Sequence, residues 1–169
     1  MEETLKVLNA MVEDGVIENY AIGGAVAAIY YLEPFDTSDV DIFVQLKAFA
    51  NELIMLAPIY DYLRRRGYNS EGEFIRIEGF PVQFLPVFNR LTDEAVGEAL
   101  TIKFARTQTR VMRAEHLVAI MLDTGRTKDY LRIGMFLEQD LVDMNSLSDV
   151  LRRHGLSEKW KANQYRFKP

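Results

Sequence analysis

Two acids, Asp39 and Asp41, stand one residue apart in DVDIFVQL (39–46), a stretch whose Val, Ile and Phe content predicts a β-strand. At positions i and i+2 of a strand both side chains leave the same face. Carboxylates so placed repel one another unless a cation lies between them. Hard oxygen donors at this spacing suit Mg²⁺ or Mn²⁺, which keep several waters and complete their shells with substrate phosphates. Upstream, Gly23 and Gly24 follow a short stretch, Ile17 to Ile22, that reads as a strand, and they open a run, AVAAIYYLE, that reads as a buried helix stopped by Pro34. A strand ending in Gly-Gly at a helix start lets phosphate oxygens approach backbone N–H groups and the positive end of the helix dipole. Singly, a glycine pair is an ordinary turn and Asp-x-Asp an ordinary solvent-facing strand edge. In this order they describe a clamp for a nucleoside triphosphate and a metal.

The elements that must hold this clamp are legible from periodicity. Leu5, Leu8, Met11 and Val12 recur at helical spacing before Gly15, so 2–14 reads as an amphipathic helix. Residues 48–66 read as helical with a break near Pro58, their arginines at 64–66 complementing the helix dipole. EFIRIEG (73–79) and FPVQFLPV (80–87) alternate on either side of Gly79 and predict a hairpin. Lys103, Arg106, Arg110 and Arg113 would form a basic stripe on a helix, but Thr, Ile, Phe and Val between 101 and 111 favour two short strands. From Ala114 the pattern is helical: EHLVAIMLDTG, TKDYLRIGMFLEQ, and SLSDVLRRHG with Ser146 as its N-cap. The tail carries Lys159, Trp160, Lys161, Tyr165, Arg166 and Lys168 and reads as a terminus that packs on the helices rather than an RNA-stacking segment.

Composition narrows the classes. The chain has 169 residues, 49% of them hydrophobic, enough to bury a core without staples. A formal net charge of −5 argues against coating nucleic acid by bulk electrostatics. Cysteine is absent, which removes disulfides and thiolate metal sites. His116 and His154 fall on separate predicted helices without clustered ligands, which argues against a zinc site or a Ser-His-Asp triad. Acids stand where a signal peptide carries bases, and no apolar run approaches the roughly 20 residues that span a bilayer, so a soluble cytoplasmic protein without membrane contact is expected.

Ile22, Gly23, Gly24, Asp39, Val40, Asp41 and Ile42 together resemble the signature of the DNA polymerase β-like nucleotidyltransferase superfamily: a hydrophobic residue, Gly, Gly or Ser, roughly a dozen residues, then Asp, hydrophobic, Asp or Glu, hydrophobic. EHLVAIMLDTGRTKDYLRI looks like a second segment of small members, with Arg126, Lys128 and Asp129 at its Gly-Arg-x-Lys-Asp positions. The pattern is nearest to the abortive-infection and minimal nucleotidyltransferase groups, some of which act as toxins or toxin-antitoxin partners. The resemblance implies an α/β nucleotidyltransferase fold, with a mixed sheet and flanking helices over 1–113 and a helical segment over 114–169 packed on that core in one compact unit. It implies Asp39 and Asp41 as catalytic metal ligands for Mg²⁺ or Mn²⁺, and Gly23, Gly24 and Ser38 as a phosphate cradle. Arg126 and Lys128 would steady an NTP or acceptor, and they would serve equally well as a helix cap and surface ion pair. The expected reaction is transfer of a nucleoside monophosphate from NTP to a hydroxyl of RNA, a protein or a small molecule.

Three positions depart from that pattern. The third carboxylate should lie on FPVQFLPV, where Gln83 stands; Gln offers a carbonyl oxygen but no charge and no basic group. Glu78 would substitute only if the hairpin register turned it inward. Phe35 and Met121 occupy places where many members carry Arg and Lys. The alternative is therefore a catalytically impaired protein on the same fold that binds a nucleotide or a partner.

Overall fold

The computed structural model describes residues 1–33, 37, 39–46 and 56–167; Ser38, Phe35, Lys168 and the 48–55 part of the expected 48–66 helix lie outside them. The chain opens with α1 (Glu2–Glu13), whose Leu5, Leu8 and Met11 are buried, and Gly15 reverses it at φ +69°. β1 (Asn19–Ile22) leads through Gly23 into α2 (Gly24–Tyr31), and β2 (Val40–Gln45) follows. α3 (Ala57–Arg65), β3 (Ser70–Glu71), β4 (Phe74–Ile77) and β5 (Phe80–Pro86) come next. α4 (Arg90–Gly97), β6 (Leu100–Phe104) and β7 (Thr107–Val111) complete the α/β part. α5 (Ala114–Thr124), α6 (Thr127–Glu138), α7 (Met144–Arg153) and α8 (Ser157–Asn163) end in a 3-10 turn at Gln164–Arg166.

The strands form one mixed seven-stranded sheet in the order β3-β4-β5-β2-β1-β7-β6. β2 runs antiparallel to β1 and parallel to β5, and β1 runs parallel to β7. Period-2 alternation divides β2 between two layers. Val40, Ile42 and Val44 point with Tyr20 toward α1, where the Tyr20 hydroxyl donates to Asn9 Oδ1 at 2.7 Å. Asp41, Phe43 and Gln45 point the other way, toward α4 and α5; Gln45 Nε2 donates to Asp93 Oδ1 at 2.8 Å. Asp41 thus lies on the helix-covered face, near its open end.

The two basic segments are strands, β6 and β7, not a helical stripe. The β4–β5 hairpin turns on Glu78 (φ +50°) and Gly79 (φ +86°), the two positive-φ positions of a type I′ turn. β3 and α8 have no counterpart in the sequence reading, and two further elements depart from it. α4 has no counterpart in it, although Asn89 caps this helix by accepting from Thr92 N at 2.8 Å. α7 starts before Ser146: Asp143 is the N-cap and accepts from Ser146 N at 2.7 Å, so Ser146 sits in the first turn. The tail folds back onto α6, with Trp160 and Phe167 buried and the Arg166 guanidinium 3.9 Å above the Tyr130 ring. Gly134 makes that docking possible, because a Cβ there would sit 3.3 Å from the Phe167 carbonyl carbon and closer still to its oxygen.

Candidate active site

Backbone pairing sets the first part of the site. In the parallel β2/β5 pair Asp41 lies directly opposite Gln83, so the two side chains stand side by side on one face. Gly23 N donates to Asp41 O at 2.9 Å and joins the end of β1 to the same point. Gly24 is at φ +55°, and a Cβ on it would lie 2.7 Å from Asp41 Cγ, with Oδ2 nearer still. Only glycine satisfies both conditions, so its lack of a side chain is what lets Asp41 rest against the start of α2. Gly23 has a different neighbour: its Cβ would meet the Phe43 ring at 2.5 Å. Asp39 immediately precedes β2, and Thr37 Oγ1 donates to its carbonyl at 3.4 Å. Ser38 lies outside the described residues.

Cations face these acids from α6. Gly125, left-handed at φ +73°, ends α5 and turns the chain so that α6 starts at the cleft. There Arg126 Nε donates to Asp129 Oδ2 at 2.8 Å and Nη2 to Oδ1 at 3.2 Å, while Arg126 N also donates to Oδ2 at 3.2 Å. Asp129 is fully buried, whereas the Arg126 side chain is 59% exposed, so an anchored carboxylate aims a guanidinium outward. The two readings of this segment are compatible: the residues cap the helix and also line the cleft. Burial, first, and then the neighbouring Asp39 push the Asp41 carboxyl above its ordinary value, while Arg126, Lys128 and Arg132 pull it back. Arg132 is not part of the sequence motif. A signal for it exists, since it stands four residues after Lys128 on the same helix face.

Asp39, Asp41, Gln83, Lys128 and Arg132 border a polar cleft of about 520 Å³. Asp41 and Gln83 also border an adjoining compartment of about 400 Å³ whose other walls include Phe43, Leu85, Met112, Leu117 and Met121. Met121, where the sequence resemblance expects a lysine, is therefore part of an apolar wall. Glu78 does not turn inward: it sits in the hairpin turn and accepts from the Tyr68 hydroxyl at 2.5 Å. A different acid approaches Gln83. Glu73, between β3 and β4, accepts from Gln83 Nε2 at 3.0 Å.

The two histidines converge away from this cleft. Glu94 on α4 receives Arg153 Nη2 at 2.5 Å and His116 Nε2 at 3.1 Å on one oxygen, and His154 Nε2 lies 3.1 Å from the other. Glu98 adds a third ligand-type group, within 4.8 Å of those of Glu94 and His116. Helices separated in sequence thus form a cluster that spacing alone does not reveal. Arg153 already neutralises its central carboxylate, which suits a junction tying α4, α5 and α7 together.

The donors around Asp41 fit a hard divalent cation. They are carboxylate oxygens with one amide beside them, two like charges lie close together, and a Cβ-free approach at Gly24 keeps Asp41 in place. No helix among the described residues is long and apolar enough to cross a membrane.

No protein-family model matches the sequence, and neither does any curated protein. Among solved structures, the chain is similar to an antigenic nucleotidyltransferase-like protein from Paracoccidioides brasiliensis, with TM-score 0.58 and 14% identity, over 98% of this chain and 92% of that one. The chain has the nucleotidyltransferase fold. A weaker likeness joins it to the antibiotic-resistance factor ANT(2'')-Ia, with TM-score 0.47 and 15% identity over 97% and 89% of the two chains, and adds nothing to that assignment.

Proposed function

We propose that the protein is a metal-dependent nucleotidyltransferase that moves a nucleoside monophosphate from an NTP to a hydroxyl of RNA, a protein or a small molecule. The observation that carries this reading is the packing of Asp41 against side-chain-free Gly24, opposite Gln83 and facing the cations of α6. Asp39 and Asp41 would hold Mg²⁺ or Mn²⁺, with the Gln83 carbonyl as a neutral neighbour. The ion, when bound, supplies charge neutralisation of the phosphates. The chain's own groups do the rest. Gly24 and Ser38 cradle phosphate, while Gly23, whose N–H is held by the Asp41 carbonyl, fixes the turn that presents them, and Arg126, Lys128 and Arg132 draw the triphosphate into the polar cleft. The apolar compartment takes an uncharged part of a substrate and keeps water from it. The acceptor oxygen bonds to the α-phosphorus as the bond to pyrophosphate breaks; its proton leaves to solvent, since Gln83 has no basic group. In this division the part up to residue 113 supplies the carboxylates, and the helices from 114 close the cleft.

One observation favours a second reading, a nucleotide-binding or partner-binding protein without turnover: the neutral Gln83 opposite Asp41. Incubation with each α-³²P-labelled NTP, Mg²⁺ or Mn²⁺ and pools of RNA, protein and small hydroxyl compounds separates the two. Transfer of label that disappears in Asp39→Asn and Asp41→Asn supports the enzyme. Absence of label, combined with thermal stabilisation by NTP of about 2.7 kcal/mol at 100 times Kd, overturns it in favour of the binding protein.

A further inference from the structure

We infer that Glu73 is a positioning residue: it fixes which end of the Gln83 amide faces Asp41 and so makes Gln83 a neutral oxygen donor toward the cation. The inference rests on the reading that Asp39 and Asp41 hold a divalent ion.

An amide has a donating and an accepting end, and a glutamine beside a carboxylate pair would ordinarily turn its NH₂ toward the acids. In that orientation Gln83 would occupy an Asp41 lone pair and present hydrogens to any approaching cation. Glu73 competes for that donor. Its carboxylate can only accept, and it takes Gln83 Nε2 at 3.0 Å from the outer side of the sheet. The carbonyl end of Gln83 is left for the side where β2 lies, and directly across on β2 is Asp41. Gln83 borders both compartments of the cleft. Glu73 is an exposed residue of the short β3–β4 connection and acts on the cleft through Gln83. Where related signatures place a third carboxylate, this chain uses two residues in its stead; the amide supplies an oxygen, and the acid behind it supplies the orientation. Orienting groups behind metal ligands are worth about 10- to 100-fold in metal affinity.

Mn²⁺ titration of the full chain, followed by the loss of its free electron-spin signal, tests the assignment in variants at Glu73, Gln83, Asp39 and Asp41. Glu73→Ala should weaken Mn²⁺ binding about 10-fold, and Glu73→Gln, which keeps an oxygen to accept from Gln83, should stay within about twofold of wild type. Gln83→Glu has no amide to orient, so adding Glu73→Ala to it should produce no further weakening. Equal weakening by Glu73→Ala in both backgrounds would mean that the acid acts only as a nearby charge and would overturn the inference. So would an unchanged affinity in Glu73→Ala while Asp41→Asn abolishes binding, and that result leaves the parent reading standing. Mn²⁺ binding insensitive to Asp39→Asn and Asp41→Asn sinks the parent reading, and this inference with it.

Discussion

Gly24→Ala is the substitution that separates the site from the scaffold. Gly24 is at φ +55°, where an L-residue is strained, and the new Cβ would stand 2.7 Å from Asp41 Cγ. The strain costs about 1–2 kcal/mol, which for a chain of this size lowers Tm by roughly 2–8 °C. Carbon atoms in contact prefer separations of about 3.5–4.0 Å, so the Asp41 carboxyl must withdraw by about 1 Å. A displacement of that size at reacting groups costs about 100-fold in rate, and cation affinity should fall with it. Gly67→Ala is the matched control: φ is +86° and nothing lies within 4 Å of the added methyl. It should reproduce the loss of Tm and leave Mn²⁺ binding and nucleotide transfer unchanged. Melting curves and Mn²⁺ titrations on both variants decide the matter. If Gly24→Ala loses no more Mn²⁺ affinity than Gly67→Ala, the close approach to Asp41 is not why glycine stands there, and the geometric argument for the site fails.

Two further outcomes follow from side chains that hold others. Asp129→Asn replaces one of the two buried oxygens that accept the Arg126 fork with an NH₂ donor and removes the negative charge. It should lower stability by about 1–3 kcal/mol and raise the NTP concentration needed for half-saturation by roughly 10-fold, a fraction of a charge-assisted pair; saturation measured by thermal shift checks this, and an unchanged value would mean Arg126 does not meet the nucleotide. At Glu94, burial raises the carboxyl, but hydrogen bonds from Arg153, His116 and His154 prevail and bring it from 4.5 down to about 2. A lowered folded value means that the stabilisation is fully present above pH 4.5 and is lost as pH falls through about 2. Glu94→Gln should therefore be less stable than wild type by about 1.5–3 kcal/mol at neutral pH, and the gap in Tm should close during acid titration over that window; a gap independent of pH would refute the assignment.

What the sequence disclosed and what it concealed divide along the range of the interactions. Strand, Gly-Gly, helix and Asp-x-Asp are local, written as side-chain period and turn chemistry, and β6, β7 and the β4–β5 hairpin are legible for the same reason. α4 escapes because RLTDEAVG is short and polar, and its main signal is a single residue, Asn89, whose cap becomes meaningful only once the helix exists. Ser146 reads as a cap because both it and Asp143 carry capping side chains; the structure selects the earlier one. Glu78 and Glu73 show the limit more sharply. They flank the same strand β4, and a hairpin pattern does not say which of two acids at its ends will face the neighbouring cleft. The register decides it. Glu78 falls in the tight turn, where positive φ directs it to Tyr68, and Glu73 falls at the opposite end, beside the strand position that pairs with Asp41.

The same reasoning explains why a neutral residue at position 83 need not empty the cleft of charge. Burial and Asp39 already push the Asp41 carboxyl above its ordinary value, so a third carboxylate opposite would raise the cost of keeping all of them ionised before a cation arrives. Gln83 avoids that cost and keeps an oxygen at the position. Glu73 retains the negative charge one side chain farther out, where water screens it. Gln83→Glu should therefore bind the cation more tightly yet leave the ion-free protein less stable at neutral pH than wild type. Mn²⁺ titration and melting curves without metal measure the two effects separately. A variant that gained affinity with no loss of ion-free stability would show that charge repulsion at Asp41 is not what makes glutamine suitable there.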